Sequence, residues 1–236
     1  MPVLYLTVSD SFRTALELFK KNTQFLIWVT LIAWATYGII DALGNFIGIL
    51  DWFPYSSLYN TVFHTNPMLL RAVGIYSSVA SFMAFFVWSF LTMNQIKIYL
   101  RIYDGQVVTY TDLFSDLNRF VNFLVGYVLL LLIIVGGCIL LIFPGVIWGL
   151  KYGFTPYLIV DKGIAPMSAL RKSAEITAGH KGELFLIFLT IVGIRVVGLL
   201  VFCVGLLAAY PLGDMMWVDC YRKLVPVEMA KEDGDF

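Results

Sequence analysis

The chain is poor in charge. Asp, Glu, Lys and Arg together make up 14% of its 236 residues, where an average soluble domain carries about 25%. The 16 basic and 16 acidic residues cancel. No net positive charge is available to hold a phosphate backbone, and nucleic acid is excluded as a partner. Cysteine is also scarce. Cys138, Cys203 and Cys220 are scattered through apolar segments without a CxxC spacing, which argues against both a disulfide framework and a zinc site. They read as small packing residues. The two histidines, His64 and His180, are far apart in the sequence, and a metal site needs several ligands brought together. No HExxH, GxSxG or Walker sequence occurs. No catalytic, cofactor-binding or metal-ligating residue is therefore expected, and the chain reads as non-enzymatic. Ser77, Ser78, Ser81 and Ser89 are expected to bond between helices, not to act as nucleophiles.

What the chain has in quantity is apolar length. Hydrophobic residues make up 60% of it and the mean hydropathy is +0.83. Several runs reach the roughly 20 residues that span a bilayer. The expected fold is an all-α integral membrane bundle of six spans arranged as three hairpins. The spans are 24–50, 69–99, 120–143, 145–160, 183–204 and 205–224. They form one polytopic domain over 1–225, followed by a short, acidic, disordered cytoplasmic tail over 226–236. The N-terminus lacks a basic segment leading into a short apolar run and a small-residue cleavage site. The first span is expected to act as a signal anchor.

Basic residues set the orientation. Arg13, Lys20 and Lys21 precede the first span. Lys97, Arg101 and Arg119 fall at the second-to-third connection, and Lys162, Arg171, Lys172 and Lys181 at the fourth-to-fifth. Arg222, Lys223 and Lys231 follow the sixth. The first external loop, about 51–67, has no Lys or Arg. By the positive-inside rule both termini are cytoplasmic, and an even number of spans is required. Trp28, Trp52, Tyr55 and Tyr59 fit an aromatic belt at the membrane–water boundary.

An amphipathic segment precedes each hairpin. In the first, Phe12, Ala15, Leu16 and Phe19 recur at helical spacing with Ser9 as N-cap. In the second, Leu113, Phe114, Leu117, Phe120 and Val121 recur alike, and Thr109-x-x-Asp112 resembles a capping box. The third is more polar, with a weak stripe of Ala169, Leu170, Ser173 and Ala174, and Gly179 as a C-cap. Either these are an internal repeat or they are the basic, half-apolar flanks of any polytopic protein; the sequence leaves both open. The first two are expected to dock on membrane lipids. The cytoplasmic stretch 161–182 is the expected place for a protein partner.

Two features inside the spans stand out. Gly145, Gly149 and Gly153 form GxxxGxxxG, which places three glycines on one helix face for close packing, within the monomer in preference to dimerisation. The oligomeric state does not follow from this. Charged residues also lie at membrane depth. Arg195 is expected to pair with Asp214, and Asp41 with Arg71, with Lys151 as a third member that snorkels outward. Structural pairing is preferred to an ion relay, because each acid has a base at matching depth.

The stretch from Thr111 to Leu224 resembles a broad group of prokaryotic multi-pass membrane proteins related to the membrane domain of some glycerophosphoryl diester phosphodiesterases. The resemblance rests on Asp112-Leu113-Phe114, Phe143-Pro144-Gly145-Val146-Ile147 and Tyr157-Leu158-Ile159-Val160-Asp161. It continues in Ala169-Leu170-Arg171-Lys172-Ser173, Thr177-Ala178-Gly179-His180, Pro211 and Tyr221-Arg222-Lys223-Leu224. It implies a bacterial or archaeal cytoplasmic membrane and no catalytic residue. The expected function is lipid or partner binding, with a small transporter or channel using the intramembrane charges as the alternative.

Overall fold

A computed structural model describes residues 6–44, 67–201 and 204–232. Within them the chain is all-helical. Eight α-helices follow in order: α1 (Val8–Gly44), α2 (Pro67–Tyr103), α3 (Phe120–Leu140), α4 (Ile142–Tyr152), α5 (Thr155–Lys162), α6 (Pro166–Ile176), α7 (Lys181–Leu200) and α8 (Val204–Glu232). A 3-10 turn at Tyr110–Phe114 lies between α2 and α3. Two compact units are formed, Met1–Thr30 with Thr92–Phe236, and Leu31–Leu91.

Four helical stretches are long and apolar enough to cross a membrane: Val8–Ala42, Ile75–Tyr103, Phe120–Leu140 and Lys181–Leu200. Their outward faces fit that environment. Val125, Leu132, Val135 and Ile139 on α3, and Leu186, Leu189, Val196 and Leu200 on α7, are all exposed. Apolar faces of this extent are not left bare in water.

The expected fourth span does not form as one helix. It is split into α4 and α5 at Gly153–Phe154, because Pro156 in the first turn of α5 lacks an N–H and its ring excludes a continuous helix through the preceding turn. Neither piece is long enough to span alone, yet together they return along α3. Gly145 lies against Gly137, and Ile159 fills the space beside Gly126. The Arg119 guanidinium at the start of α3 then donates to the carbonyl of Val160. The expected sixth span is the first part of α8, which runs on to Glu232, into the stretch expected as tail. Its charged residues keep it out of the purely apolar set. Cys203 and the external-loop residues Trp52, Tyr55, Tyr59 and His64 lie outside the described residues.

The three amphipathic segments diverge. In α1 the helix is interrupted at Asn22 (φ −123°, ψ 21°), where the Asn22 amide donates to the carbonyl of Leu18 and Thr23 Oγ1 to that of Phe19. Side-chain competition for backbone carbonyls bends helices, and here the bend divides the amphipathic part from the apolar part. The second segment is not a helix. Only the 3-10 turn forms, held by the Thr109 N–H on Asp112 Oδ2 at 2.8 Å. Leu113 is buried, whereas Phe114, Leu117 and Val121 are exposed. The third, expected to be the most loop-like, is the regular helix α6. Its Ala169, Leu170, Ser173 and Ile176 are all buried. Gly179 follows in the left-handed region at φ +88°, a conformation open to glycine at no steric cost.

In the unit Leu31–Leu91, the second half of α1 and the first part of α2 contribute Tyr37 and Trp88, whose rings meet edge to face at 5.1 Å. Asp41 is half-buried near the end of α1 and Arg71 exposed in α2.

Candidate functional site

The break between α4 and α5 leaves backbone groups without helical partners, and an apolar interior does not tolerate that. Side chains of α6 supply the partners. Ser173 Oγ accepts the N–H of Phe154 at 3.2 Å and donates to the Lys151 carbonyl at 3.0 Å. Thr177 Oγ1 donates to the same carbonyl at 3.1 Å. Both side chains are fully buried. The polar residues that make α6 read as loop-like are therefore its packing face. Below the break, Phe154 stacks on Trp217 (4.9 Å) and meets Tyr221 (5.9 Å), and Tyr157 meets Tyr221 at 5.7 Å. Each aromatic contact adds about 0.5–1.5 kcal/mol beyond its area burial.

The glycine stripe does three different things. A Cβ on Gly145 would lie 2.9 Å from the Cys138 backbone nitrogen, and one on Gly137 would lie 2.8 Å from Gly145 Cα. The α3–α4 crossing therefore needs both. A Cβ on Gly153 would meet Trp217 at 3.0 Å, while one on Gly149 meets only Ile134 at 3.8 Å. A second crossing, Gly198 of α7 against Gly205 of α8, is equally tight. The spacing rule does not reveal it, because the two glycines sit on different helices.

The geometry brings Arg195 and Asp214 together. Arg195 Nη2 donates to Asp214 Oδ1 at 2.8 Å, and the guanidinium stacks 4.5 Å from the Tyr210 ring. Arg195 Nε is buried with no hydrogen-bond partner. The pair forms part of the wall of a cavity of about 380 Å³ between α3–α4 and α7–α8, lined otherwise by groups such as Ile134, Val146, Gly149, Phe188 and Trp217. Arg195 and Asp214 keep 35% and 30% of their side-chain surface exposed. The cavity is apolar with one charged edge.

Lys151 lies in the first compact unit, apart from the stretch that holds Asp41 and Arg71. Because α4 ends at Tyr152, Lys151 occupies its last turn, and its neighbours are Arg171 on α6 and Lys181 at the start of α7. Asp41 and Arg71 belong to the other unit.

A further polar cluster went unrecognised as a site in the sequence. Arg222 of α8 bonds both Asp161 oxygens, at 2.9 and 3.1 Å, and Asp104 at 2.6 Å. Tyr221 donates to Asp161 at 2.9 Å. Asp219, fully buried, accepts from Tyr103 at 3.0 Å, with Lys223 Nζ 2.7 Å away. Lys97–Asp116 and Arg101–Asp112, both 3.1 Å, extend the set. Burial alone would raise the Asp161 carboxyl, but the Arg222 bonds and charge, with Tyr221 and Lys162, bring it below the usual carboxylate range. Asp116 is lowered likewise: its burial is outweighed by Lys97 and Arg119. The signal was present in the motifs that carry the resemblance. Asp112, Asp161, Ser173, Thr177, Tyr221 and Arg222 all make polar side-chain contacts between or at the ends of helices. Among the described residues no cluster of His, Cys, Asp or Glu could hold a metal ion.

This chain is similar to uncharacterised proteins of Mycobacterium bovis and of two strains of Mycobacterium tuberculosis. In each case it is 30% identical over 125 residues, which is 53% of this chain and 38% of the relative. The match thus spans well under half the length of those relatives. No family model matches the chain, so the phosphodiesterase relation rests on motif order alone. No solved structure matches it either.

Proposed function

We propose that the chain is a non-enzymatic, multi-pass protein of a prokaryotic cytoplasmic membrane that binds lipid, with an acyl chain seated in the cavity beside Arg195 and Asp214. The observation that carries this reading is the cavity itself. Its volume of about 380 Å³ falls in the ordinary range for ligand pockets, about 300–1,000 Å³. Its walls are apolar, and its one charged edge is a paired acid and base. A transport role is favoured by nothing comparable, since pairing removes the free ionisable group that a proton relay needs.

The topology in this reading is six passes, with α4–α5 as one broken pass and α8 as the last. Its support is the return of α4–α5 along the whole of α3, together with hydroxyl satisfaction of the break. Both termini are cytoplasmic, on the basic side of the chain. The resemblance to a phosphodiesterase membrane domain agrees with a membrane module that lacks a catalytic centre. The outward face of α6, within the stretch 161–182, is left for a headgroup or a protein partner.

Gly149→Leu tests the reading. A Cβ there meets only Ile134, at ordinary contact distance, and Gly149 lines the cavity, so the position admits a side chain at the cavity wall. Native mass spectrometry of the detergent-extracted protein should show retained phospholipid in the wild type. The variant should lose it with little change in melting temperature. Equal retention by a well-folded Gly149→Leu protein refutes the cavity as the lipid site.

A further inference from the structure

A second polar recess lies apart from the central cavity. It is an open groove of about 720 Å³ where α4, α6 and α7 meet. Three cations converge there from three helices: Lys151 from the last turn of α4, Arg171 from α6 and Lys181 from the first turn of α7. Ile133, Met167 and Leu170 form its apolar side. The one acid in the groove, Glu175, lies 3.7 Å from Lys172, so it is already offset by a base outside the cluster.

Four basic residues on α2 and α8 behave differently. Lys97, Arg101, Arg222 and Lys223 each face an aspartate. Lys151, Arg171 and Lys181 have no acidic partner among the described residues; Lys151 Nζ instead sits 5.0 Å over the Tyr152 ring. Like charges gathered beside one another destabilise a fold unless an anion answers them. Arg offers a bidentate fork to phosphate oxygens and Lys a point charge, and basic pockets between membrane helices suit phosphate-bearing headgroups. An apolar wall next to the cations matches the junction of headgroup and acyl chain.

We infer that the groove formed by Lys151, Arg171 and Lys181 is a binding site for a phosphate group, carried by an anionic phospholipid or free in solution. The inference rests on the membrane reading above but not on the central cavity. Gly149→Leu leaves these cations untouched, so the two sites fail separately.

The test uses the full-length chain in detergent. The probes are phosphatidylglycerol and phosphatidylcholine of matched acyl composition, and inorganic phosphate as competitor. Native mass spectrometry reads the ratio of anionic to zwitterionic lipid retained. The wild type should prefer phosphatidylglycerol. The single variants Arg171→Gln and Lys181→Gln, both at exposed positions, should each lower the preference about fivefold, the effect of about one interfacial charge. The triple variant with Lys151→Gln should abolish it. The control is Lys162→Gln, which removes one charge from an exposed position outside the groove and should leave the preference unchanged. If inorganic phosphate displaces the lipid, the phosphate group alone is the ligand; if only the lipid holds, the headgroup–chain junction is required. Both results uphold the site. Equal loss in the control and groove variants, or no preference in the wild type, overturns it. Because the single variants alter exposed side chains, they keep the test decisive if the triple variant fails to fold.

Discussion

Replacing Arg195 by Leu leaves the Asp214 carboxylate on the cavity wall without its base, and replacing Asp214 leaves the guanidinium with only the Tyr210 face. Breaking a fully buried ion pair from one side costs about 3–5 kcal/mol. This pair is less enclosed, with about a third of each side chain open. Interhelical polar contacts in membranes couple by about 0.6 kcal/mol on average and about 1.7 at most. Each single leucine variant should therefore lose about 1.5 kcal/mol, relative to an additive total of about 3. In the double variant two apolar side chains face an apolar cavity and no charge is stranded, so the loss should be about 1 kcal/mol or less. The implied coupling of about 2 kcal/mol lies slightly above that membrane maximum because both partners are ionised. In a thermal unfolding assay in mild detergent, the single variants should melt about 3–6 °C below the wild type, scaled for a chain of this size. The double variant should melt above both. A double variant no more stable than the worse single would refute the pair as a structural unit, and proton flux into liposomes that vanishes with Arg195→Ala while the fold survives would refute its purely structural role.

Three further outcomes follow from the packing. Ser173→Ala should cost about 1–3 kcal/mol, because the buried N–H of Phe154 loses its acceptor; Thr177→Val should cost less, since the Lys151 carbonyl keeps Ser173, and paired melts of the two variants check the order. Gly145→Ala should destabilise by about 1–3 kcal/mol through the Cys138 backbone, whereas Gly149→Ala should stay near wild type, and equal melting of the two would contradict the α3–α4 crossing. Asp161 is held below its ordinary range in the folded chain, so its contribution is fully present above the unfolded value of about 4 and is lost as pH falls through the lower folded value; acid unfolding should show a steep limb below about pH 4 that Asp161→Asn flattens, and an unchanged limb would remove Asp161 from the network.

Much of the architecture was legible in the sequence because the signals are local. Apolar length marks a membrane helix whatever surrounds it, and four such stretches stand in the structure. The change from the amphipathic to the apolar part of α1 was visible around Asn22. The Arg195–Asp214 pair was readable from depth alone, since two residues counted from a common turn at Gly205 must come level. The second segment was misread in its helical form and the third in its loop-like character, because periodicity reports which residues could share a face, not which backbone forms or what packs against that face. Phe114, Leu117 and Val121 have the spacing and remain outside, whereas Ser173 and Thr177 are polar and lie wholly inside.

The sequence by itself determined that the chain suits an apolar medium and that helices carry it. Composition and run length suffice for these. Pro156 marked where the Gly145–Val160 segment breaks, and only the tertiary structure supplied what satisfies the break, hydroxyls from α6 that reach groups orphaned about twenty residues earlier. Only it decided that Asp161, Asp104 and Arg222 form one cluster, since the ends of α2 and α5 and the interior of α8 are brought together. It also separated the paired cations from the unpaired ones. Charge is counted along a chain, but whether a charge is neutralised depends on what lies across from it in space.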